Sequence, residues 1–122
     1  MERKRVLVVD DEEPIRRLAL QVLVDSGFEV HCAASAAEAL QLVREHLFDV
    51  AVLDFLLPDM DGIRLHSEIR RMDAELADKT LFISGVDQSN ESLRYYADSG
   101  GFLPKPFKID ELIAGVRALV GD

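Results

Sequence analysis

The feature that most constrains this chain is an alternation. Short runs of β-branched and other apolar residues take turns with longer stretches of helical periodicity. Val6–Val9 and Val50–Leu53 are apolar at every position. A strand with one wet face alternates polar and apolar residues, whereas a strand covered on both faces reads as a continuous apolar run. Phe28–Cys32, Thr80–Ser84 and a short run beginning at Phe102–Leu103 read as three further strands.

Between the strands lie amphipathic stretches. From about Pro14 to Ser26, Ile15, Leu18, Ala19 and Val22 follow the i, i+3, i+4, i+7 spacing of a buried stripe. Pro14 suits the first helical turn, the acids before it suit the helix dipole, and Gly27 ends the helix. Ser35 and Glu38 form an S-x-x-E capping box ahead of the stripe Ala36, Ala39, Leu40 and Val43. Further helices are expected over about Ile63–Leu76, Ser89–Ser99 and Ile109–Val120. Strands that alternate with helices pair in parallel through right-handed crossovers. Five such units in 122 residues predict one domain over residues 1–122. The expected fold is α/β, a flavodoxin-like doubly wound five-stranded sheet of order 2-1-3-4-5.

Charge narrows the function classes. With 23 acidic against 14 Lys and Arg residues the net charge is −9. Such a surface repels nucleic acid and anionic membrane and favours cations and basic partners. The single cysteine, Cys32, rules out an internal disulfide; within FEVHCAA it is expected to be a small core residue. No apolar run has the length of a membrane span or the flanks of a signal peptide, so a soluble cytoplasmic protein is expected. His31, His46 and His66 share no spacing with a Ser or Cys site and are expected at the surface or an edge.

Chemistry collects at the strand ends. Asp10 and Asp11 follow the first strand and Asp54 ends the third. These strands are neighbours in the expected order, and doubly wound sheets bind ligands where the order reverses. Ser84 ends the fourth strand and Lys105 follows the fifth. Read alone, Asp10 and Asp11 could merely cap the first helix, and Lys105 could be a surface ion pair. Together they predict three carboxylates, a hydroxyl and an ammonium on one rim. Like charges at ~4 Å repel by about 4 kcal/mol at an effective dielectric of about 20. A hard divalent cation removes that penalty, and Mg²⁺ suits a few carboxylates plus water. The set is suited to phosphoryl chemistry on a carboxylate nucleophile. Asp59 and Asp61 are expected to be turn residues beside Gly62.

The segments "VLVVDDEEP", "VLDFLLPDMDG", "FISG" and "GGFLPKPF" resemble the receiver domains of two-component response regulators, in that family's order and at its separations, from about Lys4 to Val120. The resemblance implies a phosphorylation-dependent signalling switch. The chain would be a phosphoacceptor that assists its own phosphorylation and dephosphorylation, not an enzyme acting on other molecules. Asp54 would accept the phosphoryl group from a sensor histidine kinase or a histidine phosphotransfer protein. Asp10, Asp11, Asp54 and the backbone carbonyl of Leu56 would hold Mg²⁺, with Mn²⁺ as a substitute. Lys105 would bind the phosphoryl group, and Ser84 and Phe102 would be the switch residues. In the family the positions that Leu56 and Val86 occupy flank the path of hydrolytic water; neither side chain can orient water, so slow dephosphorylation is expected. The Lys105–Pro106 bond is commonly cis in the family. The face of the fourth helix (89–99), fifth strand and last helix would regulate a downstream effector or a fused output domain, with a possible phosphorylation-linked homodimer.

Three rivals fit less well. A phosphorylation-independent pseudo-receiver that only docks would lack Asp11, Asp54 or Lys105, and all three are present. A dehalogenase-like phosphatase would show D-x-D-x-T, where this chain has Leu56 and Pro58. A flavin- or nucleotide-binding domain would carry a glycine-rich phosphate loop where four acids stand. The chain is expected either to act alone by docking or to be a piece of a longer regulator or hybrid kinase.

Overall fold

The computed structural model describes residues 3–85 and 100–121. Its elements run β1 (Arg5–Val9), α1 (Glu13–Asp25), β2 (Glu29–Ala33), α2 (Ala36–Glu45), β3 (Val50–Asp54), α3 (Gly62–Met72), α4 (Ala74–Asp78), β4 (Thr80–Ser84), β5 (Phe102–Pro104) and α5 (Ile109–Val120). The helix expected over Ser89–Ser99 lies outside the described residues, as does Val86. The five strands form one parallel sheet of order β2-β1-β3-β4-β5.

The pleat explains the continuous apolar runs. Successive side chains point to opposite faces of a strand, and both faces here are covered. Leu7, Val9, Ala51, Leu53 and Phe82 join residues of α2, α3 and α4 in one core. Val6, Val8, Val50, Val52, Leu81 and Ile83 join residues of α1 and α5 in the other. Each fully buried Val or Leu contributes about 1.5–3 kcal/mol relative to an exposed one. Gly100 lies so close to β4 that an added Cβ would sit 2.2 Å from the Thr80 carbonyl oxygen.

The helix expected over Ile63–Leu76 is two helices. At Asp73 the backbone is extended, with φ −156° and ψ 93°, and its side chain accepts a hydrogen bond from the Leu76 amide. An aspartate offers the backbone an alternative partner to the helical ladder; here it ends α3 and starts α4. At the N-terminus of α2, Ser35 Oγ accepts from the Glu38 amide at 3.2 Å, as its motif indicated. β2 starts one residue later than expected, at Glu29. Cys32 is half-buried rather than enclosed, packs on the α1–α5 core, and has its thiol pKa raised by burial.

His66 corrects the expectation that all three histidines are peripheral. It is buried, its Nε2 lies 2.7 Å from the Ala77 carbonyl oxygen, and its ring meets Phe82 edge-on at 5.2 Å. Its place on the inner stripe of α3 with Leu65 and Ile69 marks it as part of the core face. By contrast, His31 on the edge strand β2 and His46 are half-buried and stack at 4.6 Å beside Phe48.

Burial, above all, lowers the pKa of His66; the Ala77 carbonyl opposes the shift. A base whose folded pKa is depressed takes its proton later than the unfolded chain does. Stability is therefore unaffected above the unfolded value, about 6.5, and falls as pH drops below it toward the folded value. Chemical unfolding at stepped pH is expected to show this loss in the wild type and to show it reduced in His66→Gln.

Candidate functional site

The strand register carries the site. Val9 pairs with Leu53 across β1 and β3, so Asp10 and Asp54 come next to each other. Extended one residue past β1, the pleat turns Asp10 to the same side as Val8; Asp54 likewise follows Val52. Both therefore point to the α1–α5 side of the sheet. Lys105, one residue past β5, has the same phase as Leu103, which lies in that same core. The apolar strands thus deliver two acids and a lysine to one rim.

Asp10 is 0% exposed and Asp54 5% exposed, while Asp11 is exposed. One carboxylate oxygen from each of the three lies within 4.8 Å of the others. The Lys105 ammonium reaches Asp10 Oδ2 at 2.8 Å, Asp54 Oδ2 at 3.3 Å and Glu12 Oε2 at 3.5 Å. Asp10 Oδ1 accepts from the Glu12 amide at 2.8 Å, and Asp54 Oδ1 from the Leu56 amide at 3.3 Å. Asp10 Oδ2 is buried, and its partner among the described residues is the Lys105 ammonium. Asp10 also binds through its backbone: its carbonyl oxygen accepts from Arg16 Nη1 at 2.9 Å, which ties α1 to the end of β1.

Burial first, and then the Asp10 charge, push the Asp54 carboxyl above its ordinary pKa, against the pull of the Leu56 amide and Lys105. Burial draws the Lys105 ammonium down, but the Asp10 and Asp54 carboxylates outweigh it and its pKa is raised.

Of the remaining predicted residues, Ser84 and Leu56 lie on the same rim, whereas Phe102 does not. Ser84 is buried at the end of β4, where its carbonyl accepts from the Lys105 amide at 2.8 Å. A cleft of about 600 Å³ opens here, lined by Asp11, Asp54, Leu56, Ser84 and Lys105 among others. The Leu56 side chain is 57% exposed on its wall. Phe102 is half-buried on β5 opposite Phe82 and packs on the α2–α4 core. The Lys105–Pro106 peptide is cis.

Two residues read from sequence only as turn formers do more. Asp61 caps α3, its Oδ1 accepting from the Arg64 amide at 2.7 Å. Asp59 reaches away from the turn: its Oδ1 and Oδ2 accept from the Ala36 and Ala37 amides, each at 2.9 Å. The spacing of Asp61 before a helix was a legible cap signal; nothing local in the sequence announces the cross-chain bonds of Asp59. Glycine is needed at position 62, where a Cβ would lie 2.8 Å from the Asp54 carbonyl oxygen and from Phe55 Cα.

A family model described as the response regulator receiver domain matches residues 6–117. Sensor kinase CckA of Brucella abortus is 36% identical over 118 residues, covering 94% of this chain and 12% of the kinase. Response regulator MprA of Mycobacterium sp. (strain KMS) is 33% identical over 117 residues, covering 95% of this chain and 50% of that protein. The chain therefore spans half the length, or less, of these relatives. A CheY-like receiver domain protein from Methanospirillum hungatei superimposes with a TM-score of 0.89 at 27% identity, covering 98% of this chain and 95% of that one. Response regulator TrrA of Thermotoga maritima, solved in complex with Mg²⁺-BeF, gives 0.82 at 30% identity, covering 95% and 98%.

The shifted Asp54 pKa has a measurable consequence in metal-free protein. Its folded value lies above the unfolded one, so ionised Asp54 destabilises the fold at neutral pH, and the cost shrinks as pH falls through the folded value. Asp54→Asn is expected to unfold at higher denaturant than wild type at pH 7, with the gap closing as the pH is lowered. A variant less stable than wild type at pH 7 would refute the sign.

Proposed function

The chain belongs to the response regulator receiver domain family, and from that premise we propose that it is a signalling switch phosphorylated on Asp54. One observation carries the reading: three carboxylates and a lysine meet at the rim between β1 and β3, two of the carboxylates buried.

The residues fit a hard divalent cation. Asp10, Asp11 and Asp54 bring together three carboxylate oxygens of the kind Mg²⁺ takes, and the Leu56 carbonyl would add a fourth donor. Bound there, the cation would neutralise the carboxylates and the charge of an incoming phosphoryl group.

The chain's own groups supply the rest. An ionised Asp54 oxygen attacks the phosphorus of a phosphohistidine. The new O–P bond forms as the P–N bond breaks, and the imidazole leaves with its electron pair. Lys105, within 3.3 Å of Asp54, is placed to bind a phosphoryl oxygen. The donor is a sensor histidine kinase or histidine phosphotransfer protein. The modified aspartate gains about −1.5 to −2 charge. Ser84 moves to bond a phosphoryl oxygen and Phe102 turns inward, which reshapes the face that includes β5 and α5 for an effector or an output domain. Leu56, exposed on the cleft wall, offers hydrolytic water no hydrogen bond and makes the phosphoryl group long-lived.

Intact mass after incubation with acetyl phosphate and Mg²⁺ is expected to show one added phosphoryl group in wild type. It should be absent after EDTA and in Asp54→Asn. If neither this donor nor beryllofluoride with Mg²⁺ modifies or perturbs the wild type, the switch reading fails and a docking module takes its place. In the phosphorylated protein, Leu56→Asn is expected to lose the group about tenfold faster, less than the roughly 10²–10⁴-fold typical of a general acid or base, because an amide orients the attacking water without taking its proton. An unchanged half-life would remove Leu56 from the account.

A further inference from the structure

The loop between β3 and α3 is anchored at a point the carboxylate site does not touch. Its neck is closed by the Gly62 amide donating to the Phe55 carbonyl at 2.7 Å and by an antiparallel bridge between Leu56 and Asp61. Beyond the neck, Leu57 and Met60 are half-buried and lie against the α2–α4 core, while Pro58 and Asp59 are exposed. Apolar contacts are non-directional and allow sliding. The directional anchor at the tip is the Asp59 carboxylate, with one oxygen on each of the Ala36 and Ala37 amides.

We propose that Asp59 is a positioning residue for the phosphoryl site: clamped to the first turn of α2, it fixes the path of the loop that presents Leu56 beside Asp54. The inference rests on the phosphoacceptor reading above and deepens it. Ser35 caps α2 through the Glu38 amide and leaves the Ala36 and Ala37 amides of the first turn to Asp59. Because Asp59 comes from a different crossover, more than twenty residues along the chain, this cap also ties the loop to the helix. The neck, in turn, touches the site directly, because the Leu56 amide donates to Asp54 Oδ1 at 3.3 Å. The two α2 amides hold the Asp59 carboxyl below the usual carboxylate range, so the anchor stays charged at neutral pH.

Two losses must be separated: loss of loop position and general loosening of α2. Asp59→Ala removes the anchor; Ser35→Ala removes a cap on the same helix and leaves the anchor in place. Mn²⁺ binding by titration calorimetry is expected to weaken about tenfold in Asp59→Ala, the lower end of what outer-shell residues contribute to metal affinity. Asp59→Asn, which keeps one acceptor, should lose less, and Ser35→Ala should bind as wild type does. In metal-free protein, hydrogen exchange at the Leu56 amide should accelerate in Asp59→Ala and not in Ser35→Ala. Unchanged Mn²⁺ affinity in Asp59→Ala, or equal losses in Asp59→Ala and Ser35→Ala, would overturn the proposal while leaving the phosphoacceptor reading intact. A wild type that binds no Mn²⁺ would overturn that reading and this inference with it.

Discussion

Two buried carboxylates at the ends of adjacent strands repel each other, and the rest of the structure is arranged around that repulsion. Asp10 and Asp54 are forced together because β1 and β3 pair in the register Val9 to Leu53. Their mutual cost, about 4 kcal/mol at close range and intermediate dielectric, is comparable to the burial of two or three core side chains. The fold can carry it because the same strands bury apolar residues on both faces. Lys105 offsets part of it from the same face of the sheet. To do so it must be delivered by β5, which is why an edge strand of only three residues matters to the site. The central sheet is thus a device for holding charges where they would not gather by themselves.

Much of this was legible in the sequence because it depends on periodicity and order. Val6–Val9 and Val50–Leu53 announce two-faced burial, that announces a parallel sheet, and the parallel order places Asp10 beside Asp54 before any coordinate is known. Ser35 was readable because a cap acts within one turn; Asp61, read only as a turn residue, carries a signal of the same local kind. What stayed hidden depends on contacts between elements distant in sequence. Asp73 breaks a helix whose apolar spacing continues through it, because the local bond to the Leu76 amide competes with the ladder. His66 reads as a polar residue on a helix, yet Phe82 and the Ala77 carbonyl make a buried place for it. Asp59 looks like any aspartate in a Pro-Asp turn, and its partners lie in a helix of another crossover.

The same distinction governs how the proposed switch could transmit its signal. Lys105 is bonded at both ends: its ammonium to the carboxylates, its backbone amide to the Ser84 carbonyl. A phosphoryl group on Asp54 gives that ammonium a new partner. Any shift of Lys105 then acts through one hydrogen bond on the end of β4 and through Pro104 on β5. Phe102 stands two residues before Pro104 and is packed on the face of the sheet opposite the acids. A change on the α1–α5 side of the sheet therefore reaches a side chain on the other side without passing through either core, along the backbone of the shortest strand. That route needs no soft interior. It requires only that β5 be weakly held, and a strand of three residues paired on one side meets that condition. The β3–α3 loop is the counterweight: it is closed at its neck and clamped to α2, on the side of Asp54 away from β5.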